Sequence, residues 1–281
     1  MNILVALNSN YVYPLKVMLR SLFVNNPESQ FVIYLLYSHL TARERNDLER
    51  TVAAQGQRLV FIYIRPGIFE KAAVFRHFSA EMYYRLVAYH YLPDNVERVL
   101  YLDPDIIVLN PIDTFYYHPF RQACFIAAEH EYSAKVARTF NKVRLGIPKA
   151  KGYYNTGVLL MNVKKLKNGR SVESIIEFAM KHRHQLLLPD QDIFNALYWD
   201  SIIAMPWIYY NYDARYYDLS KLLPSAGPEA DLDWIKKHTV FLHFCGKQKP
   251  WQSKYKGELG FLFRRYAELV DEPLPEGQIH D

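Results

Sequence analysis

Two aspartates separated by a single proline are the residues best suited to chemistry in this sequence. Asp103 and Asp105 follow an apolar run at 98–102, and a second apolar run at 106–109 comes directly after them. The carboxyl ends of strands are where open α/β sheets hold their ligands. Two carboxylates at such an edge suit Mg²⁺ or Mn²⁺, with a substrate diphosphate completing the coordination shell. A simple turn after a strand is the alternative interpretation of the same triplet.

A second polar group lies near the C-terminus. His243 belongs to an apolar run, and Gly246, Lys247 and Lys249 follow it. A histidine in a strand is more often a core residue than a ligand, but imidazole beside two carboxylates makes a mixed site that suits Mn²⁺ better than Ca²⁺. Glycine lets the backbone approach a ligand closely, and each lysine can meet a phosphate as a point charge. A solvated loop is the alternative for either lysine.

Alternating strand and helix patterns surround these residues. Apolar runs predict strands at 3–7, 31–37, 59–64, 98–102, 125–128, 158–161 and 240–244. Helical patterns separate the first three, and a capping box from Thr41 to Glu44 opens the second helix. Ser79 is the predicted N-cap of a further helix, and the Tyr-rich stretch 208–217 predicts a loop. This alternation indicates an α/β doubly wound domain.

Length and composition fit one large domain, alone or with a small appendage. The chain has 281 residues, half of them apolar, so a substantial core can be buried. A net charge of +5 without a dense block of Lys or Arg is not a nucleic-acid-binding signature, so no nucleic-acid partner is expected. Cys124 and Cys245 define no disulfide framework, so we expect reduced thiols in a cytoplasmic protein.

Membrane contact is expected to be peripheral at most. No window offers the long uncharged apolar run of a membrane span, and the apolar stretch at the N-terminus is too short for a signal peptide. The segment 254–270 mixes basic and aromatic residues, which suits an anionic membrane surface. A C-terminal helix packed on the domain is the simpler interpretation of that segment.

In their order along the chain, these motifs resemble glycosyltransferase family 8, the retaining GT-A enzymes that include bacterial lipopolysaccharide galactosyltransferases and glycogenin. The resemblance spans residues 3–251. It implies an α/β, Rossmann-like domain at 1–251 with a mixed, mostly parallel central sheet, and a short helical appendage at 252–281. It also implies transfer of glucose or galactose from a UDP-sugar to a hydroxyl of a glycan, glycolipid or protein acceptor. The cofactor would be Mn²⁺, with Mg²⁺ as a substitute.

The resemblance assigns the metal and diphosphate ligands. It makes Asp103, Asp105 and His243 the metal ligands. The family's His-x-x-Gly-x-x-Lys-Pro-Trp element is present here, which makes Gly246 and Lys249 the diphosphate contacts and favours Lys249 over Lys247.

The resemblance also assigns the uridine pocket to the first strand and its turn. Tyr11 would stack on uracil, and Ala6, Asn8 and Asn10 would line the pocket. The family often has Asp at the position of Asn8, whose amide oxygen can still accept a hydrogen bond from uracil.

For the donor sugar, the resemblance assigns Arg85, Asn155, Asp190 and Gln191. Asp190 would hold sugar hydroxyls, although it would also make a good helix N-cap. Gln191 would lie on the reacting face of the anomeric carbon. Because an amide is a poor nucleophile, the hypothesis is that the acceptor attacks from the side that the nucleotide leaves, with Gln191 as a stabiliser.

Two other functions compete with sugar transfer. A phosphohydrolase would use Asp103 as its nucleophile, but such an Asp pair normally lies on the first strand. A non-catalytic UDP-sugar binder would show the same pocket without turnover. Within the family, self-glucosylation on a tyrosine is a further variant, but no tyrosine has a context that singles it out.

Overall fold

The computed structural model describes residues 1–65, 81–129, 135–221 and 227–270. Within these ranges the strands are β1 (Asn2–Ala6), β2 (Val32–Tyr37), β3 (Arg58–Tyr63), β4 (Arg98–Leu102), β5 (Ile106–Val108), β6 (Phe125–Glu129), β7 (Tyr154–Asn162), β8 (Ile202–Met205), β9 (Tyr212–Asp213) and β10 (Phe241–His243). Seven of them form a large sheet in the order β3-β2-β1-β4-β7-β6-β8. The other three form a small sheet in the order β5-β10-β9.

The large sheet is mixed and mostly parallel, as the family resemblance implied. Strand β1 is parallel to β2 and β4, β2 is parallel to β3, and β6 is parallel to β8. Only β7 runs the other way between its neighbours β4 and β6. Ile3 and Val5 of β1 enter one core cluster while Leu4 enters another, so the sheet is covered on both faces. This explains why β1 is a continuous apolar run.

The helices within the described ranges are α1 (Val12–Val24), α2 (Ala42–Ala53), α3 (Glu81–Val87), α4 (Asp113–Tyr116), α5 (Lys135–Arg144), α6 (Val163–Lys167), α7 (Val172–His182), α8 (Pro189–Tyr198), α9 (Trp207–Tyr210), α10 (Ala214–Ser220), α11 (Leu232–His238) and α12 (Gly260–Glu268). Helix α2 begins with the predicted capping box, in which Thr41 and Glu44 bond to each other's backbone N–H. The predicted N-cap Ser79 lies outside the described residues.

The small sheet brings the C-terminal histidine to the paired aspartates. Strand β10 is antiparallel to β5 and parallel to β9, and His243 is in register with Ile106 and Asp213. The backbone N–H of Phe244 donates to the carbonyl of Asp105 at 3.0 Å. His243 is thereby fixed next to the turn that follows β4.

Two local predictions were wrong. The stretch 208–217 is not a loop, because it contains the end of α9, all of β9 and the start of α10. The predicted strand at 158–161 was too short, because β7 begins at Tyr154 and ends at Asn162.

The segment after residue 251 packs on α1. Leu262, Phe263 and Tyr266 of α12 are buried in a cluster with Val17, and Asn25 donates to the Tyr266 hydroxyl at 2.7 Å. Residues 271–281 of the predicted appendage lie outside the described residues. Among the residues that are described, no helix has the length and apolar character needed to cross a membrane.

Candidate functional site

A cleft of about 730 Å³ opens at the carboxyl ends of β1 and β4. Residues from the N-terminal strand, the turn after β4, strand β7, helix α8 and the segment after β10 line it. Among the predicted site residues the lining includes Ala6, Asn8, Tyr11, Arg85, Asp103, Asp105, Asn155, Asp190, Gln191, His243, Gly246 and Lys249. Asn10 does not line the cleft. Its side chain is exposed, and its backbone N–H donates to Asn8 Oδ1 at 3.1 Å.

Asp103 is held by the main sheet and by a buried arginine. Its backbone N–H donates to the Gly157 carbonyl at 2.9 Å, and its Oδ1 accepts from the Tyr101 hydroxyl at 2.7 Å. Arg85 Nη2 lies 2.8 Å from Oδ1, and Arg85 Nη1 donates to Oδ2 at 3.1 Å. Both carboxylate oxygens of Asp103 therefore have protein partners.

Asp105 meets the two cationic groups of the C-terminal element. His243 Nε2 lies 3.2 Å from Asp105 Oδ1, and Lys249 Nζ pairs with Asp105 Oδ2. Lys249 Nζ also donates to the Phe244 carbonyl at 2.9 Å. Burial opposes ionisation of Asp105, but His243 and then Lys249 lower its pKa below the ordinary range. Asp105 is therefore a carboxylate despite its burial.

Asp103, Asp105 and His243 form a donor set that can hold a divalent cation. One ligand atom from each residue lies within 4.8 Å of the others. Two carboxylate oxygens and one imidazole nitrogen suit Mn²⁺, which accepts both ligand types. Burial lowers the pKa of His243, but Cys245 and Asp105 outweigh it and raise that pKa well above the ordinary value. A cation at Nε2 would replace the proton that this nitrogen carries in the charged imidazole, because a ligating imidazole must be neutral.

Two amides orient the imidazole. Asn211 Oδ1 lies 2.9 Å from His243 Nδ1, and Asn211 Nδ2 donates to Asn155 Oδ1 at 2.9 Å. Asn155 Oδ1 also accepts from the Gly157 N–H at 2.7 Å. Since the amide oxygen of Asn211 accepts from Nδ1, the proton is fixed there and Nε2 faces the carboxylates.

Gly157 is required for the close approach of β7 to His243. A Cβ atom at this position would lie 2.3 Å from His243 Cε1 and 2.8 Å from Nδ1. Gly246 is constrained differently, because its φ of +92° favours glycine. Both glycines therefore allow backbone to border the cleft where a side chain would obstruct it.

Arg85 links Asp103 to the start of α8. Its Nη1 donates to the Thr156 carbonyl and to Thr156 Oγ1, each at 3.1 Å, and lies 3.4 Å from Asp190 Oδ2. Thr156 Oγ1 donates to Asp190 Oδ2 at 3.1 Å. Burial raises the pKa of Asp190, with Asp103 adding to the rise and Arg85 opposing it.

Asp190 is not the N-cap of α8. The helix begins at Pro189 with Leu188 as N-cap, and Asp190 turns toward the cleft. Asp192 instead accepts the backbone N–H groups of Leu187 and Leu188, at 2.6 and 3.0 Å. The middle residue of this Asp-Gln-Asp motif, Gln191, is only 6% exposed, and its Nε2 has no hydrogen-bond partner among the residues that the structure describes. An unmet buried N–H costs about 1–3 kcal/mol, so this donor is suited to a ligand group.

The residues predicted to hold uridine lie at the end of β1 and in the turn that follows it. Tyr11 is partly buried and meets the Trp251 ring edge-on, with centroids 5.7 Å apart. Asn8 caps the short 3₁₀ turn Ser9–Tyr11 through its Oδ1, and Ala6 ends β1. Lys247 is exposed and does not line the cleft.

Sequence reasoning missed several residues of the cleft. Arg215 lines it and is held by Asp213, with Nε and Nη2 donating to the carboxylate at 2.6–3.1 Å. Both lie in the Tyr-rich stretch predicted as loop. Asn211 lies there too and contacts His243 and Asn155. The other missed lining residues are Leu7, Met82, Pro104, Leu188 and Cys245.

The sequence also matches a known protein family. The sequence profile of glycosyl transferase family 8 matches residues 2–255. General stress protein A of Bacillus subtilis (strain 168) is 25% identical over 262 residues, covering 91% of this chain and 89% of that protein. The lipopolysaccharide 1,2-glucosyltransferase of Escherichia coli is 23% identical over 256 residues, covering 89% of this chain and 73% of that protein.

A solved structure shows the same fold. Galactosyltransferase LgtC, in complex with donor and acceptor sugar analogues, superposes with a TM-score of 0.81 at 24% identity, and the match covers 95% of each chain. This likeness confirms the predicted GT-A architecture.

Proposed function

The chain belongs to glycosyl transferase family 8, and we propose that it transfers glucose or galactose from a UDP-sugar to a hydroxyl of a glycan, glycolipid or protein acceptor, with retention at the anomeric carbon. The observation that carries this proposal is the convergence of Asp103, Asp105 and His243 within 4.8 Å at the wall of a cleft that also holds Lys249.

Asp103, Asp105 and His243 would hold a divalent cation, with Mn²⁺ preferred and Mg²⁺ as a substitute. Such a cation offsets the charge that develops on a departing diphosphate. Lys249 now pairs with Asp105 and would turn to the diphosphate when that carboxylate is occupied by a cation. Gly246 would let the diphosphate approach the backbone.

The nucleoside end of the donor fits the wall formed by Ala6, Asn8 and Tyr11. The Tyr11 ring lines the cleft and would stack on uracil, and its T-shaped contact with Trp251 would hold it in place. Asn8 Oδ1 has a second lone pair beyond the one used by the Asn10 N–H. Asn10 itself would contribute through that backbone N–H and not through its side chain.

The sugar would occupy the part of the cleft between β7 and α8. Asn155 and Asp190 would bind its hydroxyls, and Arg85 would keep Asp190 ionised in place. The pKa of Asp190 is raised mainly by burial, and a sugar hydroxyl donating to its charged form offsets part of that cost. Gln191 Nε2 would donate to the sugar or to the incoming acceptor oxygen.

The reaction itself would be a front-side displacement, in which the acceptor attacks the face that the diphosphate leaves. The bond between the anomeric carbon and the diphosphate oxygen breaks, and the acceptor oxygen bonds to the same face of that carbon. The acceptor proton passes to the leaving diphosphate oxygen. The protein positions these groups and stabilises the charge, which is commonly the largest catalytic contribution.

A phosphohydrolase is less consistent with this geometry. In a phosphohydrolase of this type the nucleophilic aspartate normally follows the first strand, whereas Asp103 follows β4. A non-catalytic UDP-sugar binder has the same cleft and differs only in turnover.

The test is a screen of UDP-sugars, starting with UDP-glucose and UDP-galactose, for Mn²⁺-dependent release of UDP and for transfer to glycan, glycolipid and protein acceptors. We expect one donor to dominate and chelator to abolish turnover. Tight UDP binding without any turnover would support the binder. Phosphate release from an aryl phosphate that Asp103→Asn abolishes would support the phosphohydrolase.

A further inference from the structure

An exposed apolar surface lies at one side of the cleft and has no role in the proposed reaction. It consists of Phe140 and Val143 on α5 and of Leu187 and Leu188 before α8, each between 46 and 68% exposed. We call these four residues the α5 surface. Leu188 also lines the cleft, so the surface continues to the cleft wall.

Arg144 joins the two parts of the α5 surface. On a helix, Phe140, Val143 and Arg144 share one face. Arg144 Nη1 donates to the Gln185 carbonyl and to Asp192 Oδ2, the latter at 2.9 Å. The same Oδ2 accepts the N–H groups of Leu187 and Leu188. One ion pair therefore fixes the end of α5 against the segment that carries the two leucines.

The two segments that carry the α5 surface are rich in basic residues in sequence. Segments 135–151 and 179–188 contain eight Lys and Arg residues and no Asp or Glu. Without these eight, the rest of the chain has 26 basic residues against 29 acidic ones, so the excess of positive charge comes from these two segments. Lys149 and Lys151 are exposed, and Lys142 Nζ donates to the Lys151 carbonyl at 3.1 Å, which ties 149–151 to α5.

We propose that the α5 surface, together with Lys149 and Lys151, docks on a lipid bilayer with anionic headgroups. Exposed apolar side chains enter the interface of a bilayer, and lysines around them are attracted to anionic headgroups. The C-terminal segment is less suited to this task, because Leu262, Phe263 and Tyr266 are used to pack α12 on α1. Docking through the α5 surface would bring the Leu188 side of the cleft to the membrane.

The test is co-sedimentation of the full chain with phosphatidylglycerol–phosphatidylcholine vesicles, with pure phosphatidylcholine vesicles for comparison. Reversing charge in Lys149→Glu/Lys151→Glu should lower the partition coefficient about tenfold or more, because headgroup attraction becomes repulsion. Phe140→Ser/Val143→Ser should lower the partition coefficient in low-salt and in high-salt buffer alike, because salt does not screen the insertion of apolar side chains. Melting curves confirm that the variants fold.

Lys254→Glu/Lys256→Glu is the matched control, since it makes the same charge change on exposed lysines of the C-terminal segment. It should bind vesicles like the unmodified chain. Absence of binding to anionic vesicles overturns the proposal, and so does an equal loss in the control and the α5-surface variants. If the apolar variant melts early, the charge variant decides, because it alters only exposed side chains.

Discussion

Asp103 and Asp105 have different partners although one residue separates them. Arg85 and the Tyr101 hydroxyl hold Asp103, whereas Lys249 and His243 meet Asp105. Buried carboxylates without partners are costly, and here each is compensated before any ligand arrives. A cation that binds between them must therefore compete with Lys249 and with the proton on His243. Affinity for a metal at this site would depend on how readily Asp105 exchanges its partners.

Asp105→Asn should lower the rate of Mn²⁺-dependent UDP release by about 100-fold or more, the scale observed when one charge-stabilising group is removed. The amide removes a metal ligand and also releases Lys249 from its pair. Initial rates measured across a range of Mn²⁺ concentrations check this. Asp94→Asn is the control, because Asp94 is exposed and pairs only with Lys167 among the described residues. Full activity of Asp105→Asn in chelator would show that the pair does not hold a metal.

Gln191→Ala should lower kcat about 100-fold while KM for the donor changes little, because the buried Nε2 has no partner until the reacting groups arrive. Steady-state kinetics with the preferred donor separate the two constants. Gln122→Ala, on an exposed side chain, is the control. Unchanged turnover of Gln191→Ala would remove this residue from the reaction.

The part of the site that could be predicted from the sequence consists of residues whose side-chain type indicates their chemistry. Asp103, Asp105 and Lys249 lie in short motifs that predict a cation and a phosphate. Asn211 could not be found in this way, because an amide has no fixed role until folding places it against His243. Asn10 fits the family pattern by position, but the 3₁₀ turn directs its side chain to solvent.

At the level of elements, strands buried on both faces could be predicted and irregular ones could not. The predicted strand at 98–102 has the bounds of β4, since every residue after Arg98 is buried and apolar. The first half of β7 was missed because Asn155 and Gly157 are rare in strands. Strand β9 has two residues and depends on its pairing with β10, which no local pattern reveals.

Thr41→Ala should destabilise the protein by about 1 kcal/mol, the typical cost of losing an N-cap. Its hydroxyl accepts from the Glu44 N–H at 3.2 Å and donates to Glu44 Oε2 at 2.7 Å. Urea unfolding followed by circular dichroism measures the change. Thr51→Ala, inside the same helix, is the control and should stay within about 0.5 kcal/mol of the unmodified protein. An unchanged midpoint for Thr41→Ala would show that the capping box contributes nothing to global stability.

At the level of the whole molecule, the site joins the two sheets. Asp103 follows β4 of the large sheet, whereas Asp105 precedes β5 and His243 ends β10 of the small sheet. The mixed order of the large sheet was predictable from the family resemblance, but the small sheet was not, since it pairs segments far apart in the chain. A ligand held by Asp103, Asp105 and His243 would bind both sheets at once, and its binding free energy would add to the stability of their association.

Mn²⁺ together with UDP should therefore raise the melting temperature by about 5 °C or more at a hundredfold excess over Kd. Such an excess stabilises the folded state by about 2.7 kcal/mol, and each kcal/mol shifts the midpoint by about 2–4 °C in domains of similar size. Differential scanning fluorimetry measures the shift. Ca²⁺ should shift it less than Mn²⁺, because the imidazole nitrogen of His243 is a poor ligand for Ca²⁺.

His243→Ala should lose the Mn²⁺-dependent part of this shift and keep the part that UDP alone produces through the wall of Ala6, Asn8 and Tyr11. His39→Ala is the matched control, since His39 is exposed and lies outside the cleft lining. The measurement needs no turnover, so it tests the metal site even if the true donor is not in the UDP-sugar screen. A shift with UDP that is the same in Mn²⁺ and in chelator would contradict a metal-bridged diphosphate, and would leave the three side chains as a charge network that only shapes the cleft.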